Sequence, residues 1–385
     1  MSRPSRATFR IQEGGLVLVI LVLGALLAVF GGSVRLPQFE TLPDGTRQRV
    51  FTVDATGDKT PVFETKNKFL NAQNLAQLAK DTSFVAIMAV GMTFVIIAGQ
   101  IDLSVGAVYA LASVLGALVL QQFGPDGAHA GSPLLGAGLG ALTCLGIGLL
   151  CGGLNGGMVV GLRVHPFIIT LGTMAIFRGI AFVTTKGQSI GGFPASFRDA
   201  IAQPTLPGSG GQLPLSVGGL SLVPLLVMLF VTIVGAVYLT RLAAGRRVYA
   251  VGGNELASRF SGIRVGRVKL GVFLCSGLAA GLAALISLGY YGAATSGDGQ
   301  GYELSVIAAA VVGGASLTGG RGSALGALLG ALVIQMISSG IVIVGIDQSY
   351  SQIIIGAVVI LAVLLDQLNA WLMKRRLKQA APAGH

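Results

Sequence analysis

Long uncharged runs alternate with short polar stretches along most of the chain. Runs of about 20 apolar residues have the length of a helix that crosses bilayer hydrocarbon. Read this way, the first span is Gly14 to Phe30, preceded by Arg3, Arg6 and Arg10. A cleaved leader has the same outline, but this apolar core is long for one, so a retained anchor is expected. The second run is Thr82 to Ile101, the third Leu103 to near Phe123, and the fourth Pro133 to Leu162. The fifth opens at His165-Pro166 and ends near Thr185. The sixth is Gly219 to Thr240, the seventh Leu270 to Tyr291, and the eighth Leu304 to about Gly314. The ninth is Ser323 to about Val344 and the tenth about Ser351 to Trp371. The eighth is the shortest. It reads as a broken or partly inserted helix, which lipid tolerates only where protein or water covers the backbone.

Composition sharpens this picture. Of 385 residues, 53% are hydrophobic and 11% charged, against about a quarter charged in a soluble chain. The expected class is an all-α integral membrane protein with about ten transmembrane helices. The net charge of +11 does not indicate nucleic acid, because the basic residues sit in loops between apolar runs. Instead it orients the chain. Ten spans put both termini on one side. The N-terminus (1–13), the loop Arg241 to Lys269 and the basic tail (373–385, with Lys374, Arg375, Arg376 and Lys378) are assigned to the cytoplasm. That side then collects most of the 26 Lys/Arg and few of the 15 Asp/Glu. The remaining parts are span 1 (14–30), an extended outer loop (31–81) and a membrane core (82–372). The outer loop mixes both charge signs with Pro37, Pro43 and Pro61 and suggests a hairpin, too short for a domain.

An internal echo is visible. Asp102-Leu103-Ser104-Val105 opens the third span and Glu303-Leu304-Ser305-Val306 the eighth. Five spans apart, the copies fall on opposite membrane sides, as in an inverted repeat of spans 2–5 and 7–10. Glycine spacing points to packing. Gly148, Gly152 and Gly156 share one helix face, as do Gly153, Gly157 and Gly161, and Gly322, Gly326 and Gly330. Each set permits close backbone contact.

Catalytic signatures are missing. There is no phosphate loop, H-E-x-x-H, G-x-S-x-G or paired-Cys motif. His129, His165 and His385 are scattered, and Cys144, Cys151 and Cys275 lie in apolar runs. No enzyme, metal or cofactor is expected. Ionisable groups at membrane depth are costly and therefore informative. Asp347 and Asp366 fall at span ends. Asp102 and Glu303 sit beside glycine-rich breaks, where they either cap helices or line a polar path. Arg178 lies deeper, and reads as an ion pair or a snorkel.

The strongest local signal is the loop Arg241 to Lys269. Asn254 can cap a short helix, Glu255 suits its first turn and Gly262 can end it. Leu256, Phe260 and Ile263 then share an apolar face. Such a helix is either a lipid-surface anchor or a docking knob for a cytosolic partner.

From about Asn74 onward the chain resembles the permease subunits of bacterial ABC importers for monosaccharides, the ribose and xylose group. The stretches that carry the likeness are Gly91-Met92-Thr93-Phe94-Val95-Ile96, Gly99-Gln100-Ile101-Asp102-Leu103-Ser104-Val105-Gly106, Asn155-Gly156 and Pro166-Phe167-Ile168-Ile169-Thr170-Leu171-Gly172-Thr173. Further matches are Phe177-Arg178-Gly179, Gly252-Gly253-Asn254-Glu255 and Val312-Gly313-Gly314-Ala315-Ser316-Leu317-Thr318-Gly319-Gly320. The departure is Gly31 to about Lys68, much longer than the family pattern.

The resemblance implies a monosaccharide permease in the bacterial inner membrane. A cytosolic ABC ATPase subunit would drive it, a periplasmic sugar-binding protein would feed it, and a second permease copy or a sister permease would complete the pathway. Gly253, Asn254, Glu255, Leu256, Ala257, Phe260 and Gly262 become the coupling helix to the ATPase. Gln100, Asp102, Asn155, Thr170 and Ser305 are placed near the sugar path, where hydroxyls need donors and acceptors in place of water. The rival reading is a secondary transporter driven by an ion gradient, which would show carboxylates in mid-span.

Overall fold

In the computed structural model, described for residues 6–41, 47–53, 58–205, 215–217, 220–358, 360–361 and 364, the chain is a helical bundle with small β ribbons. Eight described helices are long and apolar enough to cross a membrane. They are α1 (Arg6–Phe30), α2 (Ala72–Ile97), α3 (Val105–Gln122), α4 (Pro133–Leu162), α5 (Pro166–Thr185), α7 (Val223–Arg241), α10 (Val265–Tyr291) and α12 (Ala324–Val344). The expected eighth span is α11 (Tyr302–Val312), whose 11 residues rise only about 16 Å. It is too short to cross. The expected tenth span is helical over 351–358. Most of its remainder, with Asp366 and the basic tail, lies outside the described residues.

α2 lies at the centre of the bundle. From Thr82 to Ile97 every residue of α2 is apolar, small or a hydroxyl, and every one is buried. More apolar helices such as α7 are mostly unburied, so it is neighbouring helices, packing closely on small and hydroxyl side chains, that enclose it. It packs on α7, α10, α11 and α12. Glycines bring other helices close: Gly148 and Gly152 of α4 lie against the backbone at Gly277 and Phe273 of α10, while Gly326 and Gly330 of α12 meet the carbonyls of Gly313 and Ala309. The set Gly153, Gly157 and Gly161 behaves differently. Gly153 faces Leu274 of α10, while Gly157 and Gly161 face no other described part of the chain.

The bundle has two ends. At one, α8 (Ala243–Gly253) and α9 (Glu255–Phe260) connect α7 to α10. At the other, α6 (Ala195–Ala202) and the ribbon of β7 (Ser216–Val217) and β8 (Leu220–Ser221) sit near the start of α7.

The segment between α1 and α2 is not one hairpin but three short ribbons. They are β1 (Ser33–Pro37) with β6 (Phe63–Asn67), β2 (Phe39–Thr41) with β3 (Arg47–Arg49), and β4 (Phe51–Val53) with β5 (Lys59–Pro61). They meet at a closed ring of backbone bonds. Gln38 N–H donates to Val62, Val50 N–H to Gln38 and Val62 N–H to Val50, each at 2.9 Å. The ring satisfies the amides where each ladder ends. Beside each ring residue stands an exposed phenylalanine: Phe39, Phe51 and Phe63. Asn67 fastens the segment to the bundle. Its Nδ2 donates to the Ala28 carbonyl at 2.7 Å, and its Oδ1 accepts from Phe69 and Leu70 N–H.

Candidate functional site

Between α2 and α3 the chain leaves helical geometry for seven residues. Gly99, at φ +72°, makes the turn that a β-carbon would strain. Asp102 then organises the return. Its Oδ1 accepts from Ser104 N–H at 3.0 Å and from Ser104 Oγ at 2.7 Å; its Oδ2 accepts from Ser276 Oγ of α10 at 2.9 Å. Asn155 Nδ2 of α4 donates to Ser104 Oγ at 2.7 Å. Thr170 Oγ1 of α5 donates to Pro166 at 2.9 Å and reaches the Ile101 carbonyl at 3.5 Å. Four of the five residues expected near a sugar path therefore surround this break. Asp102 is 1% exposed, and Asn155 and Thr170 are fully buried, so no open route passes them in this conformation. Buried polar atoms this close to full satisfaction make a rigid joint. Two acceptors stay unmatched, Gln100 Oε1 and Asn155 Oδ1. Ser104 belongs to the motif that placed Asp102. Ser276 comes from 174 residues away, and nothing in its local sequence announces it.

The fifth path residue, Ser305, is not bonded to this cluster. It donates to Gly301 within the first turn of α11. That turn belongs to a second break, residues 292–301, linked to the bundle by the bridge between Ile190 and Ala294. Arg178 of α5 holds this segment through carbonyls rather than through a carboxylate. It donates to Ser296 at 3.0 Å, Asp298 at 2.6 Å and Gly299 at 3.3 Å. A planar guanidinium suits several acceptors at once. Glu303 crosses to the first turn of α3: a β-carbon on Gly106 would strike Glu303 Oε2 and the Gly299 carbonyl. Glu303 Oε2 is buried without a partner.

The α8–α9 arm touches the start of the first break and the loop between α11 and α12. The Gly252 backbone lies against the Ile97 carbonyl and Gly320 N, and Gly320 N–H donates to Ile97 at 2.8 Å. Tyr249 Oη donates to the Gly322 carbonyl at 2.7 Å, between α11 and α12. Burial pushes the Tyr249 phenol up to about 12. Beyond Gly253, Asn254 caps α9 by accepting from Ala257 N–H at 2.9 Å. Glu255 bridges Lys269 at 2.9 Å and Arg259 at 2.6 Å. The Lys269 hydrogen bond, seconded by Arg259, holds its carboxyl below the usual glutamate value. Leu256 and Phe260 point away from the chain at 64% and 85% exposure. Gly262, at φ +78°, supplies the left-handed stop. A cavity of about 890 Å³ lies between α9 and the first break, lined by Gln100, His165, Glu255 and Lys269 among others. Gln100 is the one path residue that lines it. Among the described residues, no group of three or more His, Cys, Asp or Glu is placed to hold a metal.

Sequence comparison places this geometry among transport proteins. Residues 74–363 match the family described as the branched-chain amino acid transport system / permease component. The chain is 38% identical to the ribose import permease protein of Bacillus subtilis, over 78% of this chain and 86% of that protein. It is 36% identical to the D-allose transport system permease protein of Escherichia coli, over 78% and 85%. The xylose transport system permease protein of Escherichia coli is 33% identical, over 79% and 87%. No solved structure matches.

Proposed function

The chain belongs to the branched-chain amino acid transport system / permease component family, and from that premise we propose the working of an ABC importer permease that moves a monosaccharide across the bacterial inner membrane. The similarity to ribose, allose and xylose permeases supports the substrate class. Energy comes from a separate cytosolic ATPase, consistent with the lack of a phosphate loop in the chain. A periplasmic binding protein delivers the sugar, and a second permease, identical or sister, completes the pathway. The α9 end faces the cytosol, together with both termini, and the three-ribbon segment faces the periplasm. The basic α8–α9 arm supports this orientation.

One observation carries the coupling role. α9 turns Leu256 and Phe260 outward, while α8 behind it is wedged between the first break and the loop joining α11 to α12. A push on α9 therefore reaches Ile97, Gly320 and Gly322 through a short rigid arm. The arm needs only to bias two states: about 5.5 kcal/mol of differential binding takes a 1:99 equilibrium to 99:1. The sugar passes near Gln100, Asp102, Asn155, Thr170 and Ser305 in the state which that bias selects.

Uptake into vesicles, with the ATPase and binding protein supplied, tests the reading. Transport should need ATP, and Glu255→Arg should abolish stimulated ATPase activity and uptake while the chain still inserts. Uptake without ATPase, driven by an ion gradient, would overturn the importer. Normal uptake by Glu255→Arg would remove α9 from the coupling role.

A further inference from the structure

At the α9 end a second cavity, of about 800 Å³, opens between α7, α8 and the start of α10. Arg246 and Arg247 of α8 line it, as do Arg264 and Arg267 on the opposite wall, and no Asp or Glu does. Among the described residues none of the four has an ion pair; the nearest carboxylate on the arm, Glu255, is taken by Arg259 and Lys269. Four cations converging on one space repel one another unless an anion joins them. The floor is of another kind. It consists of Tyr238 from α7 and Val268 and Val272 from α10, residues of membrane-spanning helices. α8 packs on both α7 and α10, which make no extensive contact with each other. The cavity therefore joins a cationic mouth to an apolar crevice between the α8 ends of α7 and α10.

We propose that this cavity binds the headgroup of an anionic phospholipid from the adjoining leaflet, with its phosphate among the four arginines and its chains along α7 and α10. A free phosphate would use the mouth and waste the crevice. An acidic surface of a partner protein would reach the arginines from the cytosolic side and leave the same crevice empty. Basic pockets between spanning helices on the cytoplasmic side are suited to such headgroups. The size falls within the range of small-ligand sites. The proposal requires only that the bundle lie in a bilayer, so it stands or falls separately from sugar import.

Native mass spectrometry of the purified full chain tests it, with phosphatidylglycerol, phosphatidylcholine or inorganic phosphate added in turn. The wild type should retain phosphatidylglycerol over phosphatidylcholine, and each arginine replaced by glutamine should reduce that preference about fivefold, the order set by one basic residue against an anionic lipid. R246Q/R247Q/R264Q/R267Q should show no preference. R163Q/R321Q, at the same end but outside the cavity, should keep it. If the fourfold variant fails to fold, R264Q/R267Q reads the same effect. Equal retention of both lipids by the wild type overturns the proposal, as does a preference that survives the arginine changes. Displacement of the lipid by millimolar phosphate would reassign the site to a free anion. Loss of ATPase co-purification in the variants, with lipid preference intact, would reassign it to the partner.

Discussion

The two breaks carry nearly the same four letters, Asp102-Leu103-Ser104-Val105 and Glu303-Leu304-Ser305-Val306, and finish differently. At the first, both carboxylate oxygens accept hydrogen bonds, from Ser104 and from Ser276 on a distant helix. At the second, Glu303 Oε1 reaches only Gly301 N–H at 3.3 Å, and Oε2 is buried unpaired. One extra methylene carries the glutamate past its own turn and across to Gly106. The first break leads into α3, long enough to cross a membrane; the second leads into α11, which is not. The first is built as a fixed joint. The second is held mainly by Arg178, and its carboxylate is the less completely satisfied of the two, the property expected of a part that changes state.

The largest expected effect comes from the element wedged between the first break and the α11–α12 loop. Gly252→Val would drive a side chain into the Ile97 carbonyl and Gly320 N, backbone atoms that cannot swing aside. Overpacking of this kind costs up to about 3 kcal/mol. Uptake should fall to background and the unfolding temperature in detergent should drop. Wild-type behaviour would mean that α8 is not wedged there.

Isosteric amide swaps address the comparison itself. Asp102→Asn puts a donor where serine hydroxyls and an N–H already donate, and should cost about 2 kcal/mol and reduce flux. Glu303→Gln replaces an unpaired oxygen with a donor close to the Gly299 carbonyl, and should leave stability within about 0.5 kcal/mol. Equal losses at the two sites, measured by thermal unfolding, would erase the distinction between joint and moving part.

Arg178→Lys ranks below these. A lysine keeps the charge but not the fork that spans the carbonyls of Ser296, Asp298 and Gly299. Flux should fall about threefold to tenfold, the loss of roughly one hydrogen bond, and amide exchange should rise across 292–301 but not across 98–104. Faster exchange in both segments would show one cooperative unit instead of two.

How much of this the sequence disclosed follows from the range of the signals. Pro133 and Pro166 stand at the first helical positions of α4 and α5, where a proline loses nothing, so those starts were legible. α2 begins ten residues before Thr82, capped by Asn71, and it tolerates the charge at Lys80, which pairs with Asp81 at 2.8 Å, donates to Tyr291 Oη at 3.0 Å and lies against the Tyr290 and Tyr291 rings. A charge satisfied from 211 residues away reads locally as loop. The Asn254 cap and the Gly262 stop were legible because capping is local. The outer segment shows the opposite failure. Pro37-Gln38-Phe39, Arg49-Val50-Phe51 and Pro61-Val62-Phe63 recur twelve residues apart, a repeat that was present but masked by changing turn residues. The carboxylates of the two breaks were found by type and position, but their unequal satisfaction depends on Ser276 and Gly106, which only the fold brings near.

The smallest effect lies at the far end of the arm. Glu255 is held below the ordinary glutamate value of 4.5 by Lys269 and Arg259. A lowered native pKa means that the contribution is fully present above 4.5 and is lost as pH falls through the lower folded value. The site is partly exposed, so solvent and salt keep the contribution small. Acid should therefore loosen α9 first, with faster amide exchange at 255–263 as pH falls below 4.5, while 98–104 stays protected by bonds within the bundle. If both segments opened together at that pH, α9 would be part of the fixed joint. It could not then serve as an adjustable contact that moves on its own while the first break holds still.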